Sequence, residues 1–213
     1  MLKVKSAQYC GMAGIYSTVT KVISMGGNSR SQEYFLKLIS PEIKILNTGC
    51  GSICFSEKIA SKNNNVTSVD ISPRMIEEAK KNFSNRELLN NITFVCEDIL
   101  KYEPNEKFDI VFVNFFLNTF NENDYKIVLL HLLSMVKEGG LLCIADEVTG
   151  TKLSTKIEQI IFRPIITRLH GILAKHPLHP IYDYTPFITE NGFSLIDKKR
   201  DKTDYICSFV YQK

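Results

Sequence analysis

A chain of 213 residues, 44% hydrophobic and 23% charged, has the length and composition of one globular α/β domain and can bury a core without disulfide or metal staples. Its formal net charge of +3 is too small to point to nucleic acid, and no nucleic-acid partner is expected. The six cysteines (Cys10, Cys50, Cys54, Cys96, Cys143, Cys207) show no CxxC pair and no zinc spacing, and no apolar run reaches the roughly 18 residues of a transmembrane span, so a soluble cytoplasmic protein with reduced thiols and no metal is the expectation.

Residues 1–40 are expected to form a helical cover ahead of the first strand. Ile43–Asn47 is a short apolar run that predicts a buried strand, followed by a glycine loop and a helix over Cys54–Lys62. After the polar turn Asn63–Asn65, Val66–Val69 predicts a second strand that ends at Asp70. Ser72-Pro73 then opens a helix, serine as N-cap and proline at the first helical position, and Met75, Ile76, Ala79 and Lys80 follow at helical spacing. Ile92–Cys96 and Phe108–Val113 are the third and fourth strands. Asn121–Val136 reads as a helix with Ile127, Leu130, Leu133 and Met135 among its apolar positions, closed by Lys137-Glu138-Gly139-Gly140 with glycine as the C-terminal cap. Leu141–Ala145 is the fifth strand.

Strands alternating with helices of this length predict a mostly parallel sheet wound on both faces. Phe193–Lys198 and Tyr205–Tyr211 are separated only by the charged stretch Lys199–Asp204, which leaves no room for a crossover helix. They predict an antiparallel hairpin on the sheet edge, the sixth and seventh strands. The chain thus divides as one domain: cover 1–40, core 41–148, cover or lid 149–185 and hairpin 186–213. Residues 150–185 carry five Lys/Arg against two acids, with three histidines and the helix-interrupting Pro164 and Pro177. Both covers are placed over the carboxyl ends of the strands, where open α/β sheets bind ligands.

Three features fall on that edge in order. In Gly49-Cys50-Gly51 the glycines let the backbone turn sharply and approach a ligand closely. Asp70 stands 19 residues after Gly51 at the end of the next strand, suited to accept hydrogen bonds from both hydroxyls of a ribose. Asp98 follows the third strand and suits an exocyclic adenine amine, with Ile99 packing on the ring. The plain structural alternative is a tight glycine turn and two capping aspartates; the ordered set makes that coincidence harder than any one element does.

These residues resemble the class I S-adenosylmethionine-dependent methyltransferases over about Ile43 to Val148. Gly49-Cys50-Gly51 looks like the first motif, Asp70 like the ribose-binding acid and Glu97-Asp98-Ile99 like the adenine contact. Phe108-Asp109-Ile110-Val111 looks like the fourth strand, and Lys137-Glu138-Gly139-Gly140-Leu141-Leu142 like the turn into the fifth. The resemblance implies a Rossmann-like seven-stranded sheet with helices on both faces. It also implies S-adenosyl-L-methionine as cofactor, held by Asn47, Gly49, Cys50, Gly51, Asp70, Ile71, Met75, Asp98, Ile99 and Asn114. Gly14-Ile15-Tyr16, Phe35–Ile39 and Leu117–Phe120 are loosely similar to the quinone-ring C-methyltransferases, although Phe115-Phe116-Leu117-Asn118 replaces the small-residue and arginine pattern of that group.

Two departures stand in the cofactor loop: Asn47 where the family carries an acid, and Ile53 where it carries a third glycine. Asn47 can accept a hydrogen bond but offers no charge to an ammonium or sulfonium. The family chemistry demands no catalytic side chain, because the donor is already activated and positioning supplies much of the rate. Should a base be required, the histidines to examine are His131, His170, His176 and His179, with His131 read as structural among its apolar neighbours. Tyr16 and Phe116 are the favoured acceptor-pocket residues among Tyr9, Tyr16, Tyr184, Phe115 and Phe116. The apolar, basic run Ile157–Leu173 reads as a packed cover, or as a lid or membrane-surface helix admitting a lipid-soluble acceptor. Cys50 and Cys54 as a thiol-chemistry pair is a minor alternative.

The expected function is methyl transfer to a small-molecule acceptor, with an apolar or lipid-soluble one in view; the alternative is a cofactor-binding but non-catalytic or regulatory protein. Amino-directed nucleic-acid methyltransferases carry prolines after the fourth strand, and Asn114-Phe115-Phe116-Leu117 has none. A nicotinamide-dependent oxidoreductase needs a last glycine that Gly49-Cys50-Gly51-Ser52-Ile53-Cys54 lacks.

Overall fold

The computed structural model describes residues 24, 26–51, 55–60, 64–157, 159–161 and 180–213. Their elements run α1 (Gly27–Glu33), a 3-10 turn at Tyr34–Leu38, β1 (Lys44–Thr48), α2 (Phe55–Ala60), β2 (Asn65–Asp70), α3 (Pro73–Lys81), β3 (Ile92–Cys96), β4 (Phe108–Asn114), α4 (Glu122–Ser134), β5 (Val136–Glu147), α5 (Thr185–Glu190), β6 (Ser194–Arg200) and β7 (Ile206–Gln212). The seven strands form one sheet in the order β3-β2-β1-β4-β5-β7-β6. Pairs among β1 to β5 are parallel, whereas β7 runs antiparallel to both β5 and β6. The parallel core with a C-terminal hairpin is the architecture that the spacing predicts.

Alternate residues of the central strands feed two separate cores, as the period of a pleated strand requires. Leu46, Val111, Val113, Leu142 and Ile144 join Val128, Leu129 and Leu132 of α4 and Ile188 of α5 on one face. Ile45, Ile110, Phe112, Cys143 and Ala145 join Phe35, Ile39 and Phe55 and Ile59 of α2 on the other. Phe112 anchors that second face, with Phe35 and Phe55 ring centroids at 5.7 and 5.1 Å.

Local chemistry sets the helix starts. Ser72 caps α3 by accepting from Met75 N at 3.3 Å, with Pro73 behind it, and Asn121 caps α4 by accepting from Asp124 N at 3.0 Å.

Two sequence expectations are corrected. Gly139 and Gly140 do not cap α4, which ends at Ser134 with Met135 as its C-cap; they lie inside β5. Val136 already pairs with Phe108, the register then shifts, and pairing resumes at Leu141 opposite Ile110. Gly139 takes φ +73° to make that irregularity, and a side chain at Gly140 would meet the Lys137 and Asp109 carbonyl oxygens at 2.9 and 3.0 Å. Of the apolar positions named from sequence, Leu133 and Met135 are buried but Ile127 and Leu130 are exposed, at 36% and 53%, and Tyr125, Val128, Leu129 and Leu132 complete the buried face. Apolar residues surround this helix, so periodicity does not single out its inner face.

Candidate functional site

The chain order β1-β2-β3 builds the sheet in one direction and β4 returns to the other side of β1, which creates a switch point at the carboxyl ends of β1 and β4. A cleft partly open to solvent lies there. Its walls are the segments that leave four successive strands: Gly49–Gly51 after β1, Asp70–Ser72 after β2, Glu97–Ile99 after β3 and Asn114–Phe116 after β4. Every described member of the predicted set, from Asn47 and Met75 to Asn114 and Phe116, lines this one cleft. Tyr16 and Ile53 lie outside the described residues, as do Tyr9, Cys54, His170, His176 and His179.

The loop after β1 is held by Asp70. Gly49 and Gly51 adopt φ +55° and +56°, the left-handed region that favours glycine. Asp70 Oδ2 accepts from Gly51 N at 2.9 Å, and its Oδ1 accepts from Ser72 N at 2.9 Å. Burial raises the pKa of Asp70, and these two backbone donors work against the rise. The carboxylate therefore braces the loop, and each oxygen retains acceptor capacity toward the cleft. Asp98 Oδ1 accepts from Leu100 N at 3.1 Å beside the buried Ile99. Both aspartates thus do the local capping that the structural alternative named, at positions that also face the cleft.

Asn47 is only 3% exposed, and its Nδ2 donates to Ser56 Oγ at 2.9 Å, which in turn lies 2.9 Å from Ser68 Oγ. This buried polar chain replaces the acid of the family pattern with a neutral brace behind the loop. Cys50 is buried, and desolvation, then the charge of Asp70, push its thiol well above the usual cysteine range. A thiol so held is a poor nucleophile, which counts against thiol chemistry at this residue.

Asn114 differs from the rest of the wall. It is 8% exposed, and neither its Nδ2 nor its Oδ1 has a partner among the described residues. Phe115 follows with φ +51°, a left-handed conformation that costs a non-glycine residue of order 1–3 kcal/mol. Its N–H donates to the Ala145 carbonyl at 2.8 Å, tying the turn to β5. Phe116 packs directly on the glycine loop: a Cβ at Gly49 would lie 2.3 Å from its Cδ2. The Phe116 ring also stands edge-on to Phe120, centroids 5.1 Å apart.

Other lining residues carried no clear sequence signal. Asn28 and Gln32 reach the cleft from α1, four residues apart on one helix face. That helix is fixed by a bidentate pair from Arg30 to Asp201 at 2.8 and 2.9 Å. Thr119 and Phe120 come from the turn after β4.

Two candidates fall elsewhere. Tyr184 is not on the cleft; its hydroxyl donates to Asp146 Oδ2 at 3.3 Å and its ring packs on Tyr125. Asp146, at the end of β5, also accepts from Asn118 N at 3.2 Å and Glu147 N at 2.8 Å, and burial pushes its pKa up to about 7. It pins the turn that carries Phe116 without touching the cleft. His131 Nε2 lies 3.2 Å from the Tyr102 carbonyl oxygen, which can only accept, so this ring nitrogen donates and the histidine is structural.

Comparison with known proteins places this geometry. Residues 45–140 match the family described as "Methyltransferase domain". The chain is 43% identical over 101 residues to malonyl-[acyl-carrier protein] O-methyltransferase 2 of Ilyobacter polytropus, covering 46% of this chain and 37% of that enzyme. It is 30% identical over 102 residues to probable thiol methyltransferase 2 of Arabidopsis thaliana, 48% of this chain and 45% of that one. The matched segment thus spans less than half of these relatives. Among solved structures, the N-methyltransferase NodS of Bradyrhizobium japonicum superimposes with a TM-score of 0.62 at 16% identity, over 87% of this chain and 93% of that one. Magnesium protoporphyrin IX methyltransferase of Synechocystis, with bound S-adenosylmethionine, gives 0.65 at 18%, over 88% and 80%. Residues 45–140 thus match a methyltransferase domain, and the chain around them shares the fold of these solved methyltransferases.

Proposed function

We propose that this chain is an S-adenosylmethionine-dependent methyltransferase that acts on a small-molecule acceptor by holding donor and acceptor in line. One observation carries the reading: the buried, unpartnered carboxamide of Asn114 shares a wall with Gly49–Gly51, Asp70 and Asp98–Ile99. Leaving such a group unsatisfied costs about 1–3 kcal/mol, which a ligand with a donor and an acceptor in reach would offset.

The residues present fit the cofactor. Two glycines leave room for a backbone-close ligand, and Asp70 offers oxygens for ribose hydroxyls. Asp98 and Ile99 offer an acceptor and an apolar face for adenine. The charged residues among the described lining are Asp70, Glu97 and Asp98, all acids, which suits a ligand bearing an ammonium and a sulfonium. Bound there, S-adenosylmethionine supplies a methyl group already activated on sulfur. The chain's part is then to orient and to exclude water. Asn114 would hold a polar end of the ligand, and Phe115, Phe116 and Phe120 would shape an apolar acceptor pocket, with Tyr16 as a further candidate. Proximity of this kind contributes much of a barrier reduction without a general base.

In this reading the domain is organised as a cover at 1–40, a cofactor core at 41–148, a second cover at 149–185 and the closing hairpin. The relatives are named for acceptors as different as a malonyl carrier protein and a thiol, so we keep the acceptor class at small molecule. We place the protein in the cytoplasm, in keeping with the free thiols of Cys50, Cys96, Cys143 and Cys207; no helix among the described residues is long and apolar enough to cross a membrane.

Isothermal titration of the purified chain with S-adenosylmethionine and S-adenosylhomocysteine tests the cofactor. If neither binds at millimolar concentration, the proposal fails. Mass spectrometry for co-purifying acceptors, followed by turnover, then separates an enzyme from a protein that only binds the cofactor.

A further inference from the structure

The helical residues 153–157 and 159–161 follow β5 on the cleft edge of the sheet and pack with their polar side inward. Thr155 is 6% exposed and sits against Gly150, where an added Cβ would come within 2.6 Å of its Cγ2. Gln159 Oε1 accepts from Gly150 N at 2.8 Å, and its Nε2 donates to the Val148 carbonyl at 2.9 Å. At the start of the stretch, Thr151 N and Lys152 N donate to Asp204 at 2.8 and 2.9 Å.

The opposite side carries aliphatic residues over which nothing packs among the described residues. Leu153 is 74% exposed, Ile157 47%, Ile160 74% and Ile161 52%. At roughly 100° per residue these four fall within an arc of about 100°, while Thr155 and Gln159 point about 180° away. A surface helix of a globular domain turns its apolar stripe to the core. Here the order is reversed, and four large aliphatic side chains side by side form a contiguous exposed patch of the kind that marks an interaction site. Lys152 and Lys156 are exposed along one flank of the stripe.

We propose that this face docks on an anionic lipid surface. An in-plane helix buries its apolar stripe at the boundary of headgroups and acyl chains while flanking lysines meet the phosphates. Lysine flanks are complementary to an anionic surface, whereas a second copy of the chain would present the same cations along the same stripe. The fold holds the element by backbone-directed bonds from Asp204 and Gln159, so the stripe is presented outward without unfolding anything beneath it. This docking does not depend on methyl transfer, and its test reads no turnover.

The test is co-sedimentation of the full chain with vesicles of phosphatidylcholine and phosphatidylglycerol, against vesicles of phosphatidylcholine alone. Binding to the anionic vesicles and weak binding to the neutral ones is expected. The double variant Leu153→Ser/Ile160→Ser should bind at least tenfold more weakly, since most of the exposed stripe is removed. Lys152→Glu/Lys156→Glu should weaken binding by about fivefold or more per residue. Unchanged melting temperatures are expected because all four side chains are exposed, and they separate lost docking from lost folding. No binding to anionic vesicles overturns the proposal, as does binding that both variants retain. A concentration-dependent dimer that dissociates in Leu153→Ser/Ile160→Ser overturns it in favour of a contact between copies.

Discussion

Replacing Gly49 by alanine probes the cofactor loop at its tightest point. The residue sits at φ +55°, and an L-residue there pays roughly 1–2 kcal/mol for the left-handed backbone. The new Cβ would lie 2.3 Å from Phe116 Cδ2, 2.9 Å from Cγ and 3.0 Å from Cε2, so the ring has to leave its place. Leaving costs its edge-on contact with Phe120, worth about 0.5–1.5 kcal/mol. Together the substitution should destabilise the fold by about 2–3 kcal/mol, which in a domain of this size lowers the melting temperature by roughly 5–10 °C. Thermal unfolding followed by circular dichroism measures that loss, and titration with S-adenosylhomocysteine should show affinity at least tenfold lower. A double-mutant cycle with Phe116→Ala isolates the clash: once the ring is gone, Gly49→Ala should cost only the backbone part, giving a coupling of about 1 kcal/mol. Strict additivity, or a Gly49→Ala protein with native melting temperature and affinity, would refute the packing and the loop's role together.

Three further outcomes follow from the same cleft and its surroundings. Asp70→Ala removes two acceptors of loop N–H groups as well as the proposed ribose contact, so cofactor affinity should fall by an order of magnitude or more; unchanged affinity by titration in a folded variant would reject the assignment. Asn114→Ala deletes a side chain with no partner among the described residues and relieves its desolvation cost, so stability by urea unfolding should be kept or rise by up to about 1–3 kcal/mol while cofactor affinity drops at least tenfold; a large stability loss with native affinity would make the residue structural. For Asp146 the folded pKa of about 7 lies above the unfolded value, so between about pH 4 and pH 7 the folded state keeps a proton that the unfolded chain releases. Its contribution to stability therefore falls as pH rises through that window, by up to about 1.4 kcal/mol per unit, and Asp146→Asn should flatten the urea midpoint against pH relative to the native protein. A native slope in the variant would show that another group titrates there.

The site was legible because each of its parts is local. A parallel strand buried on both faces reads as a short apolar run, and its carboxyl end is where the next polar or glycine residue falls. Gly49, Asp70 and Asp98 could thus be assigned to one edge from order alone, with Asn114 added by the family resemblance, and the sheet then set them around one cleft. Ser72 and Asn121 announced their helices by capping chemistry that acts within three residues. What escaped depends on partners far apart in the chain. The inner face of α4 is chosen by the strands beneath it, since Ile127 and Leu130 are as apolar as the residues it buries. Gly139 and Gly140 suit a helix cap and a strand irregularity equally well, and the pairing of Val136 with Phe108 decides between them. Tyr184 reads as a pocket aromatic until Asp146 claims its hydroxyl, 38 residues earlier in the chain. The polar underside of 153–161 was hidden for the same reason. An apolar run in sequence implies burial, and only the bonds of Gln159 to Gly150 and Val148, with Asp204 holding Thr151 and Lys152 just ahead of it, reveal that the protein holds this stretch by the other side.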